Sequence, residues 1–120
     1  MVQFEKMIEL NMLYDFYGQL LTEKQRKIFT LYHEDNLSLA EIAEEVKISR
    51  QGVHDALKKS EKALYKYENK LKLIKKFSQT QKAVLDIDNS INEIISENMQ
   101  NDKLTKRLKK IKNIIDNLND

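Results

Sequence analysis

Apolar side chains recur at helical spacing along almost the whole chain. Phe4, Met7, Ile8, Leu10, Leu13, Tyr14, Tyr17 and Leu21 predict a first helix over about residues 2–21. Gly18 inside it predicts the close approach of a neighbouring helix. Thr22-Glu23-Lys24-Gln25 has the form of a capping box, in which the Thr22 hydroxyl accepts from the Gln25 N–H and the Gln25 amide reaches back. It opens a second helix running to about Glu34, which buries Ile28, Leu31 and one of Phe29 or Tyr32. Ser38-Leu39-Ala40-Glu41 repeats the device for a short third helix through about Val46, and Ser49 is the N-cap of a fourth.

The fourth helix meets no breaker until about Phe77. Val53, Leu57, Leu64, Tyr67, Leu71 and Ile74 keep a four-three rhythm that only Ser60 interrupts. A helix over 50–77 is about 42 Å long at 1.5 Å per residue. Its second half is therefore expected to need cover beyond the first three helices. Two more helices are expected, at about 79–98 with Val84, Ile87, Ile91 and Ile94, and at about 102–118 with Leu104, Leu108, Ile111, Ile115 and Leu118. Residues 98–102 form the joint. The heptads fit an intramolecular hairpin, a dimer seam or a docking groove equally well, because the repeat does not say whether the partner is self or other.

Composition narrows the class. Hydrophobic residues make up 41% of the 120, enough for a modest core, and charged residues 33%. With no cysteine, disulfides, thiol nucleophiles, iron–sulfur clusters and thiolate zinc sites are excluded. With no proline and two glycines, a Gly-rich phosphate loop has almost nothing to build with. The start Met1-Val2-Gln3-Phe4-Glu5-Lys6 lacks the form of a signal peptide, and no window approaches the ~18 apolar residues of a membrane span. A cytoplasmic protein without membrane insertion is expected. The net charge of +2 hides an asymmetry: residues 1–45 carry −5, residues 46–76 carry +7, and residues 77–120 are neutral.

Residues 38–57 have the pattern of a helix-turn-helix. A short helix buries Leu39, Ile42 and Val46, small Ala43 lets the next helix cross closely, and Ile48 plugs the turn. Ser49 then caps a helix that buries Val53 and Leu57. Lys47 stands where glycine is usual, so either Lys47 is left-handed or the turn differs slightly. Residues 20–65 together resemble the promoter-reading C-terminal domain of bacterial sigma factors. Five strings narrow the likeness: Tyr14-Asp15-Phe16-Tyr17, Leu20-Leu21-Thr22-Glu23-Lys24-Gln25, Ser38-Leu39-Ala40-Glu41-Ile42-Ala43-Glu44-Glu45, Ser49-Arg50-Gln51-Gly52-Val53 and Tyr67-Glu68-Asn69-Lys70-Leu71. In that order they resemble the YlxM family, small bacterial proteins encoded beside genes of the signal recognition particle. The likeness covers about residues 4–76. It implies a regulatory helix-turn-helix protein acting in the signal recognition particle pathway, and it supplies no catalytic residue.

If the motif binds nucleic acid as such modules do, the start of the fourth helix enters a groove. Arg50 forks onto guanine and Gln51 onto adenine, each worth ~1–3 kcal/mol of discrimination. His54 and Asp55 lie beside them, Ser49 and the helix N-terminus hold a phosphate, and Lys58, Lys59 and Lys62 reach further phosphates. Glu41, Glu44, Glu45 and Asp55 oppose a phosphate-lined groove. The lysines at 58–76 read either as a solvated face or as a ridge against RNA backbone or an acidic protein. Such a ridge suits a ribonucleoprotein partner better than operator DNA. Tyr14, Phe16, Tyr17, Tyr32, Tyr65 and Tyr67 are expected mostly in the core rather than as a base-stacking platform. His33 and His54 lie on different helices, so no metal site is expected, and no carboxylate pair or Ser/His/Asp set suggests catalysis or a cofactor.

The expectation is an all-α protein: a sigma-like helix-turn-helix domain over 1–77 whose long fourth helix leads into a helical extension over 78–120, a dimerisation or docking element. The leading function is non-enzymatic regulation in the signal recognition particle pathway, through the particle's RNA or protein. The alternatives are a transcriptional regulator reading DNA with Arg50 and Gln51, and a homodimeric interaction module, joined through the C-terminal helices, that binds no nucleic acid.

Overall fold

The computed structural model describes residues 2–118, with side chains from Phe4 onward; Met1, Asn119 and Asp120 lie outside them. The described residues are helical, with no strand. They form α1 (Val2–Tyr17), a 3-10 turn (Gly18–Leu20), α2 (Glu23–His33), α3 (Leu39–Val46), α4 (Arg50–Leu71), α5 (Leu73–Glu97) and α6 (Asp102–Leu118). Two compact units divide the chain, residues 1–74 and 75–120.

Local chemistry sets the helix starts. The Thr22 hydroxyl accepts from Gln25 N–H at 3.1 Å while the Gln25 amide oxygen accepts from Thr22 N–H at 3.0 Å. Ser38 and Glu41 repeat the pair at the same two distances, and Ser49 Oγ accepts from Gly52 N–H at 3.0 Å. Each cap satisfies donors that a helix start otherwise leaves orphaned. Lys47 is left-handed at φ 60°, ψ 46°, and closes α3 by donating its N–H to the Ala43 carbonyl. Ile48 N–H reaches the same carbonyl at 3.1 Å.

The first unit has two adjoining cores. Leu10, Leu13, Tyr17, Leu21, Phe29 and Leu64 make one, with Tyr14, Phe16, Tyr65 and Tyr67 packed half-buried around it. Ile28, Ile42, Ala43, Val53 and Leu57 make the other, which holds the helix-turn-helix together. Most of the aromatic residues therefore belong to the core, as expected. Tyr14 lies flat on Phe29, centroids 4.5 Å apart, whereas Tyr32 is exposed.

Three details differ from the sequence-based expectation. First, α1 stops at Tyr17, four residues early. A Cβ on Gly18 would meet the ring of Tyr14 at 3.0 Å, so this glycine makes room first for an aromatic of the helix that precedes it. Arg26 secures the turn that follows, donating to the carbonyls of Gln19 and Leu21 at 3.2 and 3.3 Å. Second, Phe4, Met7 and Ile8 are exposed, since no described element covers the N-terminal half of their stripe. Third, the long helix breaks after Leu71, where Lys72 is left-handed at φ 55°, ψ 34°. The new helix start is held from elsewhere: Leu73 N–H donates to the Tyr17 hydroxyl at 3.0 Å and Ile74 N–H to Glu68 Oε1 at 3.1 Å. Ser60, the irregularity in the heptad, is fully buried and donates to the Ala56 carbonyl at 2.8 Å.

Candidate nucleic-acid interface

The turn at Lys47 sets the direction of α4. Because Val53 and Leu57 face Ile42 and Ala43 in the core, helical periodicity sends the opposite face of α4 outward. Ser49, Arg50, Gln51, His54, Asp55, Lys58, Lys59 and Lys62 are all exposed. Gln51, Asp55, Lys58, Lys62 and Lys66 follow one another at intervals of three or four, which puts them on one stripe.

Contacts within this face are sparse. Gln51 Nε2 donates to Asp55 Oδ1 at 3.1 Å, so the Gln51 amide is oriented by the carboxylate one turn on. His54 Nδ1 stands 3.8 Å from the same oxygen, and Lys58 Nζ is 3.9 Å from Glu61. An ion pair like Lys58–Glu61, whose lysine is exposed, is worth about 0–1 kcal/mol and leaves the lysine able to meet another anion. Ser49 has its hydroxyl committed to the helix cap. Glu41, on α3, is likewise held by Ser38: hydrogen bonds to that backbone N–H and hydroxyl keep its carboxyl below the ordinary range. Glu44 and Glu45 stay exposed on the same helix.

A feature that residue spacing could not reveal adjoins this stripe. A cleft of about 610 Å³ is lined by Lys6 and Met7 of α1, Tyr32 and His33 of α2, and Lys58 and Glu61 of α4, among others. The His33 ring lies 4.2 Å from Phe29 and 5.0 Å from Tyr32. Its Nε2 is buried without a hydrogen-bond partner. Burial pushes this imidazole below its ordinary value, with the Glu61 carboxylate pulling the other way. Three helices contribute, so no local signal marks the cleft. Among the described residues no three His, Asp or Glu side chains are grouped to hold a metal ion. No described helix is long and apolar enough to cross a membrane.

Comparison with known proteins agrees with this architecture. The sequence pattern of the family described as "Putative helix-turn-helix protein, YlxM / p13 like" matches residues 4–120. The match runs past residue 76, where the likeness legible in the sequence ends, and takes in α5 and α6. A UPF0122 protein of Listeria welshimeri is 39% identical over 111 residues, covering 92% of this chain and 98% of its own. UPF0122 proteins of Desulforamulus reducens and Bacillus thuringiensis are 47% and 48% identical over 89 residues. These span 74% of this chain and 74% and 81% of theirs. The chain belongs to the UPF0122 family of YlxM/p13-like helix-turn-helix proteins.

Proposed function

We infer that this chain is a non-enzymatic, cytoplasmic regulatory protein that binds nucleic acid through the outward face of α4, and that its ligand is the RNA of the signal recognition particle. The observation that carries the reading is the exposed lysine stripe, Lys58, Lys62 and Lys66 with Lys59 beside it, in a segment of net charge +7. Phosphate affinity comes from such cations through counterion release. The carboxylates of α3 flank the start of α4, where a duplex groove would press them against phosphates, whereas beyond Asp55 the stripe itself is lysine, with Glu61 half-buried beside Lys58. The resemblance above, to proteins encoded beside genes of the signal recognition particle, supplies the choice of RNA.

A salt-titrated binding series on the full chain tests this, with the particle's RNA, its protein component and duplex DNA as separate ligands. Tighter binding to the RNA, with a salt slope that shrinks when Lys58, Lys59 and Lys62 become alanine, is the expected result. Equal, weak binding to every polyanion, or binding confined to the protein component, overturns it.

A second reading has its own support: Asp55 holds the Gln51 amide in place at 3.1 Å, beside the exposed Arg50. That pre-arrangement suits adenine and guanine edges in a major groove. Sequence-dependent duplex binding that disappears in Arg50→Ala is its signature.

A further inference from the structure

α5 and α6 run antiparallel, and Lys112 fixes their register: its Nζ lies 2.7 Å from Asn92 Oδ1 and 3.6 Å from Asp88 Oδ1. In this unit Ile91 is the one described residue that is buried. Beside the stripe that joins the two helices, Ile87 and Ile94 of α5 and Ile111, Ile114 and Leu118 of α6 remain 39–76% exposed. By helical periodicity each set lies on the same angular side of its own contact stripe. In an antiparallel pair, equal angular sides fall on one face of the hairpin. A two-helix layer thus presents a single uncovered apolar face, which two helices alone have no means of burying.

The charges around that face are sorted by helix. From Ala83 to Asn101 every charged side chain is acidic, and from Lys103 to Ile115 every one is basic. Periodicity puts Asp86, Glu93 and Glu97 on the α5 edge of the open face and Lys103, Arg107 and Lys110 on the α6 edge. None of the six forms an ion pair with a described residue.

We propose that this face is a homodimer seam. Two hairpins stack about a two-fold axis parallel to their helices, which lays α5 of each copy antiparallel against α6 of the other and closes a four-helix bundle. The register set by Lys112 then brings Glu93 level with Arg107 and Lys110 of the second copy, and Glu97 level with Lys103 and Arg107. A second copy is the occupant because the face is its own electrostatic complement. A partner of one sign satisfies one helix and is repelled by the other, and RNA meets the carboxylates of α5. The inference is independent of the nucleic-acid reading.

Sedimentation equilibrium of the full chain in the micromolar range tests it. The expected mass is twice the 14.2 kDa of one chain. Ile94→Lys is expected to abolish the dimer while far-ultraviolet helicity is kept. The double variants Glu93→Lys/Glu97→Lys and Lys103→Glu/Arg107→Glu are each expected to weaken self-association about tenfold or more. Mixed one to one, they should regain it as a heterodimer. A monomeric unmodified chain overturns the proposal, as does a dimer that survives Ile94→Lys. Charge-reversed chains that pair with themselves as well as the unmodified chain does would place the contact elsewhere, with the same consequence.

Discussion

The hydroxyl of Tyr17 donates to Glu68 Oε1 at 2.5 Å, joining the end of α1 to the last turns of α4 across 51 residues of sequence. The same two side chains accept the first N–H groups of α5, from Leu73 and Ile74. A helix begins after Leu71 because donors that would be orphaned there are satisfied by groups from two other helices. Tyr17→Phe removes one donor and one acceptor at a fully buried position. It should cost about 1–3 kcal/mol, measured by urea unfolding of the full chain. Amide exchange at Leu73 and Ile74 should quicken more than at Val53.

The same bond has a pH signature. Burial, reinforced by the hydrogen bond to Glu68, lifts the Tyr17 phenol above its ordinary 10.0. Burial and Glu9, which Tyr65 contacts at 3.1 Å, lift Tyr65 likewise. A raised phenol means that the folded state holds its proton more tightly. Stability is therefore full below pH 10 and falls as pH rises through the folded-state values. Phenolate absorbance should show Tyr17 titrating only as the chain unfolds. In Tyr17→Phe the alkaline fall should be shallower.

His33 works in the opposite direction. Its imidazole is lowered from 6.5 by burial, against the pull of Glu61, and its Nε2 lacks a partner. The fold therefore prefers the neutral ring, and stability present above pH 6.5 is lost as pH falls toward the lowered value. Melting temperature followed from pH 8 to pH 5 should decline for the unmodified chain. His33→Phe, which keeps a ring against Phe29, should flatten that limb.

How legible all this was depends on the range of the interaction. The caps at Thr22, Ser38 and Ser49 are satisfied within a few residues, so spacing alone revealed them, whereas at Lys47 it left two alternatives, a left-handed residue or a different turn, and the backbone takes the first. The outward direction of Arg50, Gln51 and His54 followed from the period of Val53 and Leu57. The break at Lys72 escaped because no Gly or Pro marks it and its determinant, Tyr17, lies on another helix. Exposure of Phe4, Met7 and Ile8 escaped for a related reason: a stripe shows which face is apolar, not how far its cover extends. The cleft at His33 draws on three helices and left no local trace.

Two left-handed lysines offer a direct test of backbone strain. Lys47 and Lys72 hold φ of 60° and 55°, a region that costs a residue with a Cβ roughly 1–2 kcal/mol. Lys47→Gly relieves that strain, offset by the larger chain entropy glycine brings to the unfolded state. A net gain of up to about 1 kcal/mol in urea unfolding is expected. A loss would show that the Lys47 side chain contributes more than its backbone costs.

Ser60 separates polarity from size at the heart of α4. Its hydroxyl is satisfied by the Ala56 carbonyl of its own helix, and the residue has no exposed surface. Ser60→Ala removes a local bond whose acceptor belongs to the helix ladder, so stability should change by less than about 1 kcal/mol. Ser60→Leu restores the apolar heptad that spacing alone would favour, yet at full burial it has no room. Overpacking of this kind costs about 1–3 kcal/mol. If the leucine variant instead melts higher than the unmodified chain, then the helices packed on α4 can separate to admit it, and the serine is there for some reason other than close packing.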